Sequence, residues 1–348
     1  MTLGPAASTG TARGPWRSLE LRLVALLALL CLFPLVVPGR YELQFADLVL
    51  VYIVIAIGQN IVLGYSGQIS IAQSALAAIG AYASALLVMQ LDCPFWLSAM
   101  AGILLSTFCA ALLGLLTSRV RTHYLLLVTI GFHIIVLMLI VNLVSLTGGP
   151  MGLYPVPKIN FGSLVLLTPS RTYYLYLPVA VLLLYLAERL RTSRAGLAIF
   201  ALKNNETAAR AIGVAPRYYF TLAMALSGFY AGVGGVMFAF LVGFLGPESF
   251  GLQSALFYIV IVVLGGMGNN WGVILVTVGL NLLSEHLKVL AESWVMIYGV
   301  LIMITIGLAP GGFPEIVARL RRGADTKAQP RRPIGGIPRA APWRQPPA

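Results

Sequence analysis

The chain has 348 residues, 59% of them hydrophobic and 10% charged, with a mean hydropathy of +0.90. No soluble globular domain of this length carries that composition, so the chain reads as a polytopic membrane protein. Its formal charge of +12 does not indicate nucleic acid, because the basic residues stand at the ends of apolar runs and in the C-terminal tail rather than on an aromatic-studded polar surface. Cys31, Cys93 and Cys109 lie in or beside apolar runs without CxxC spacing, which indicates neither a disulfide framework nor a zinc site.

Residues 1–18 form a short cytoplasmic tail carrying Arg13 and Arg17. The apolar run 19–37 follows. Basic residues before an apolar stretch also begin a signal peptide, but no small-x-small cleavage site follows, and Pro34, Pro38 and Gly39 stand where it belongs. The run is therefore expected to be a retained helix. At roughly 20 apolar residues per crossing, further spans are expected at 44–64, 69–90, 95–117, 122–144, 173–188, 218–243, 253–266, 271–290 and 293–309, with a polar connection over 145–172. These make about ten transmembrane helices, or eight if short neighbours fuse into broken elements. The whole forms an all-α membrane domain over 19–310, followed by a basic, Pro-rich tail over 311–348 that is expected to be disordered.

The longest interruption, 189–217, lies between apolar blocks and carries Arg189, Arg191, Arg194, Lys203, Arg210 and Arg217. The positive-inside bias places it, and both termini, in the cytoplasm. Only Arg40, Lys158, Arg171 and Lys288 then fall outside, where Glu42, Asp47, Asp92, Glu248, Glu285 and Glu292 also fall. Within the segment, Asn204 or Asn205 can cap a short helix with Glu206 in its first turn, and Gly213 followed by Pro216 can end it. Such a helix is marginal alone in water. Its small residues Ala208, Ala209 and Ala211 leave two readings open, a helix docked on a partner or an ordinary frayed loop.

Three further features carry polar chemistry. Gly64–Tyr82 places Ser66, Gln68, Ser70, Gln73 and Ser74 at a membrane boundary, close after Gln59 and Asn60. Polar side chains in hydrocarbon need partners, so these either line a path for a polar solute or join helices. The GGMGNNWG stretch, with Gly265, Gly266 and Gly268, interrupts two short apolar runs and reads as a helix break or close-packing point. It is no phosphate loop, since no Gly-Lys pair occurs in the chain. Finally, His133 lies alone in its span and reads as a packed or hydrogen-bonded residue, while Glu285 and Lys288 can pair. No buried carboxylate of the kind a proton-coupled carrier uses, no Ser-His-Asp set, no HExxH and no paired carboxylates are evident, so no enzyme active site is expected.

These motifs together resemble the membrane-spanning permease subunits of ATP-binding-cassette importers for branched-chain amino acids, of the LivM type. The likeness covers roughly residues 44–313. Gly64–Tyr82 is similar to the family's G-x-x-G-Q-x-S stretch, and Tyr124, Thr129, Gly131, Phe132 and Thr147–Gly152 resemble its Y-L-A-I-V-T-L-G-F and T-G-G-P-x-G signatures. Ser193, Gly196, Ala198, Ala201, Asn205, Glu206, Ala208, Ala209 and Gly213 match its cytoplasmic segment, and Pro247–Phe250 and Val262–Gly268 match P-E-S-F and V-V-L-G-G-M-G.

The resemblance implies an importer permease fold of the larger, type II-like kind in a bacterial inner membrane. It implies that Ser193, Gly196, Ala201, Asn205, Glu206, Ala208, Ala209 and Gly213 meet the cleft of an ATPase subunit as a coupling helix. The implied partners are two ATPase subunits, which bind ATP and magnesium, a second related permease and a periplasmic or surface solute-binding protein. No cofactor is expected in this chain. Departures stand at Leu197, Asn204, Thr122, His123, Ile134, Leu137 and Ala309. They bear on the solute, since urea, short-amide and other amino-acid importers share this permease type.

Overall fold

The computed structural model describes residues 39–117, 122–159 and 168–286, together with Pro34. The expected spans at 19–37 and 293–309, both tails and Lys288 lie outside the described residues. Within them, seven helices are long and apolar enough to cross a membrane.

Helix α1 (Arg40–Asn60) is almost wholly apolar after its first turn and runs without interruption into a π-helical turn, Ile61–Tyr65. In hydrocarbon a helix satisfies its own backbone, so the β-branched residues that weaken helices in water are tolerated here. This is the central helix. Val51, Val54, Ile55, Ala56 and Ile57 are at most 1% exposed and are enclosed by α6 (Pro169–Thr192), α9 (Pro216–Val242), α10 (Leu252–Gly265) and α11 (Asn270–His286).

After the π turn the chain does not re-enter a helix until α2 (Gln73–Leu91), four residues later than the expected start at residue 69. Gly67 takes φ +72°, a left-handed conformation open to glycine, where the chain turns between the π turn and α2. The amide of Gln59 reaches the carbonyl of Ser70 at 2.9 Å, so residues 66–72 run beside the end of α1 as irregular backbone enclosed by protein.

Helices α2, α3 (Phe95–Thr117) and α9 pack through small residues. A Cβ on Gly80 would stand 2.8 Å from the Cα and carbonyl of Gly232, and one on Gly235 would strike the carbonyl of Ala77. Ser106 on α3 bonds the carbonyls of Leu76 on α2, at 2.8 Å, and Gly228 on α9, at 2.9 Å. Close backbone approach with hydroxyl bridges is the way helices associate where no water drives them together. The outer faces of α3 and α4 (Thr122–Asn142) carry Trp96, Met100, Leu104, Phe108, Leu127, Ile135 and Met138 outward, all more than half exposed and suited to lipid or another apolar surface.

The expected polar connection over 145–172 begins with α5 (Val144–Thr147) and a 3-10 turn, Gly149–Met151. Leu153 then pairs with Leu245 in an isolated antiparallel bridge, which ties this loop to the C-terminal end of α9. Two elements, α7 (Arg194–Asn204) and α8 (Glu206–Ala211), fill the break between α6 and α9. The glycine-rich stretch joins two separate helices rather than one broken span. Gly265 ends α10, Gly266 and Gly268 take φ +86° and +94°, and α11 starts at Asn270.

Candidate coupling segment and solute path

The basic interruption folds as two capped helices. The Ser193 hydroxyl accepts from the Gly196 amide at 3.1 Å and starts α7; the Asn205 side chain accepts from the Ala208 amide at 3.0 Å and starts α8. Of the two asparagines that sequence allows as caps, Asn205 takes the role, because it alone stands in extended backbone between the helices. Gly213, at φ +88°, stops α8 as expected, and Pro216 opens α9. A Cβ on Gly196 would collide with the carbonyl of Leu190, so the sharp turn from α6 into α7 requires glycine.

The segment has two faces. Ile199 and Leu202 of α7 and Ala209 of α8 are buried, while Leu197, Ala208 and Ile212 are exposed, Ile212 at 78%. Glu206 and Arg210 form an ion pair on the exposed face. Its open position limits the pair to a few tenths of a kcal/mol, about 0.3–0.5.

Behind α7 lies a junction the sequence reading did not anticipate. The Lys203 ammonium donates to the carbonyl of Gly64 at 2.6 Å, and the Phe200 ring lies 4.9 Å from that of Tyr65. Burial lowers the Lys203 pKa below its ordinary 10.5. The π turn thus rests directly on the basic segment. From there Asn60, at the end of α1, donates to Asn270 at 2.8 Å and accepts from the Gly268 amide at 2.9 Å. Asn270 in turn donates to the Tyr65 hydroxyl at 2.7 Å and to Glu188 at 3.1 Å. Arg191, 3.8 Å from Glu188, closes the set. Asn60 is the member the sequence reading marks; Tyr65, Glu188 and Asn270 are absent from it. Their signal was weak, since Glu188 stands at the edge of the basic segment and Asn270 inside a stretch read for its glycines.

The path candidates Gln59, Asn60, Ser66, Gln68, Ser70, Gln73 and Ser74 are all buried. Gln73 donates to the Ile55 carbonyl at 3.0 Å and accepts from Ser227 at 2.6 Å; Ser74 bonds the Phe250 carbonyl at 3.2 Å and lies 3.3 Å from His133 Nδ1. Ser66 donates to the Val62 carbonyl at 2.6 Å, and Ser70 accepts from the Ala72 amide at 3.3 Å. In this conformation Asn60, Gln73 and Ser74 join separate elements, Ser66 and Ser70 bond backbone within a few residues, and none of the seven lines the cavities of about 620, 390 and 250 Å³. The outer Oε1 atoms of Gln59 and Gln68 have no hydrogen-bond partner. His133, fully buried against Ser74, is a packed residue as expected. The expectation that no carboxylate is buried in the spans needs correction: Asp47 is 0% and Glu188 6% exposed. Asp47 was counted with the outer charges, yet it sits two turns into α1, on the face turned toward α6 and α9. Among the described residues no group of three or more His, Cys, Asp or Glu could hold a metal ion.

A family model described as the branched-chain amino acid transport system permease component matches residues 42–306. The chain is 34% identical over 333 residues to the high-affinity branched-chain amino acid transport system permease protein LivM of Escherichia coli (strain K12), covering 88% of this chain and 78% of that protein. It is 33% identical over 325 residues to the protein of the same name from Salmonella typhimurium (strain LT2), covering 85% of this chain and 76% of that one. No solved structure matches. An all-helical, multi-pass architecture and a match across most of the chain agree: this protein belongs to the permease components of branched-chain amino acid transport systems.

Proposed function

We propose that the chain is the membrane-spanning subunit of an importer that moves branched-chain or related neutral amino acids into the cytoplasm by alternating access, with ATP hydrolysed by separate subunits and no chemistry of its own. Ser193, Gly196, Ala201, Asn205, Glu206, Ala208, Ala209 and Gly213 shape the segment on which an ATPase subunit docks. A second related permease completes the path, an external binding protein delivers the solute, and the chain lies in a bacterial cytoplasmic membrane with both ends inside. The observation that carries this reading is the two-faced α7–α8 segment. It offers Leu197, Ala208 and Ile212 to a partner while Lys203 and Phe200 on its rear hold the π turn of the central helix. A push on one face therefore reaches the spans.

Replacing Ala209 by Trp, or Glu206 by Arg, is expected to abolish uptake while the chain still inserts. Unchanged uptake by both variants would remove the coupling role. A cysteine at Thr207 is expected to resist an impermeant thiol reagent added to intact cells. The buried Asp47 favours a second reading, an ion-coupled carrier. Uptake by this chain alone, indifferent to ATP and abolished by an uncoupler, would establish that alternative.

A further inference from the structure

Among the described residues, neither carboxylate oxygen of Asp47 accepts a hydrogen bond, and the side chain has no exposed surface. An ionised carboxylate in that position is strongly disfavoured unless something compensates it. Beside it lies a cavity of about 250 Å³ between the outer half of α1, the start of α6 and the end of α9. That is just under the roughly 300–1,000 Å³ of sites for drug-sized ligands, and suits a small metabolite.

The lining is graded. Arg40 and Lys158 are exposed, Asp47 and Thr172 are buried, and Ile159 and Phe240 are apolar walls. The Asp47 carboxylate oxygens are closed off in this conformation, so a ligand reaches them only after a small side-chain shift. A metal cation needs about six to eight oxygen ligands if it is calcium, and here two basic side chains would oppose it. A simple anion would meet Asp47. A molecule carrying both a positive and a negative group matches each end of the cavity.

We propose that this cavity binds a zwitterion with a primary ammonium, Asp47 receiving the ammonium and Arg40 and Lys158 the acid group, and that its occupant is a free α-amino acid entering from the outer face. This rests on the permease reading and adds to it a place of first contact within the chain. A phosphatidylethanolamine headgroup has the same pair of charges, so the test separates the two sources.

The experiment uses the complete transporter, this chain with its ATPase and permease partners, in nanodiscs of phosphatidylglycerol with or without phosphatidylethanolamine. A Gln44→Cys variant, at an exposed lining position, is labelled with a thiol reagent. Leucine is expected to slow labelling. 3-Methylbutylamine, which lacks the carboxylate, and 4-methylpentanoate, which lacks the ammonium, are expected to need at least tenfold more. Asp47→Asn is expected to raise the KM for leucine uptake about 10–100-fold, the effect of losing a hydrogen bond to a charged group, with Asp47→Glu recovering part of it. Where the wild-type complex moves neither leucine nor any other neutral amino acid, the permease reading itself fails. Where it does, but saturating leucine leaves Gln44→Cys labelling unchanged, or Asp47→Asn inserts and keeps its KM, the site assignment alone fails. Protection by phosphatidylethanolamine that leucine does not displace assigns the cavity to lipid and overturns the proposal. Should Asp47→Asn not insert, the Gln44→Cys protection, measured with Asp47 in place, decides.

Discussion

The two ends of the central helix treat buried polarity in opposite ways. At the C-terminal end Asn60, Tyr65, Glu188 and Asn270 bond one another, and Lys203 and Gly268 join them. At the N-terminal end Asp47 is as deeply buried but has no hydrogen-bond partner among the described residues. A satisfied network fixes the register of the elements it joins, and removing one member strands the others. An unsatisfied group contributes nothing to the fold that holds it. The contrast assigns cohesion to the C-terminal end and leaves the N-terminal end the place for the ligand proposed above.

The contrast is broken most strongly by Asn270→Ala, which takes one hydrogen-bond partner from each of Asn60, Tyr65 and Glu188. At about 0.5–1.5 kcal/mol per lost hydrogen bond, thermal melting in detergent should show the largest drop of this series. Gly64→Ala comes next. Its new Cβ would collide with the Asn60 side chain and stand 2.5 Å from the Gly268 amide, a crowding worth about 1–3 kcal/mol in the same assay. Lys203→Met keeps the aliphatic stem and loses the bond to Gly64, which should cost roughly 1 kcal/mol and lower uptake more than it lowers melting. Glu206→Gln, which removes an exposed ion pair, should change melting by only a few tenths of a kcal/mol. Asp47→Asn sharpens the contrast from the other side: its melting temperature should be unchanged or higher, since no protein partner is lost. A clear drop there would mean that Asp47 is structural, and the division between the ends would disappear.

Much of this architecture was legible in the amino-acid sequence. Apolar run length predicts the long helices, and the described elements over 95–117 and 216–242 lie close to the expected spans. Capping chemistry predicts an α8 start capped by Asn204 or Asn205, and its stop at Gly213, because both depend on neighbours within a few residues; the structure selects Asn205. The π turn and the late start of α2 were not legible. They depend on Gly64 and Gly67 meeting Gly268 and Lys203, residues some 140 to 200 positions away. Asp47 was missed for a related reason. A charge near the end of an apolar run reads the same whether it stands in water or two turns below it, and only the packing of α6 and α9 against α1 separates the cases.

The contact of α2 with α9 has a mechanical consequence. Gly80 meets Gly232, and Gly235 meets Ala77, main chain against main chain, with no layer of pliable side chains between them. Such a joint can neither slide nor compress without collision, so under the proposed alternating access these two helices would move as one body, and the rocking would be taken up in the π turn, the irregular stretch 66–72 and the turn between α10 and α11.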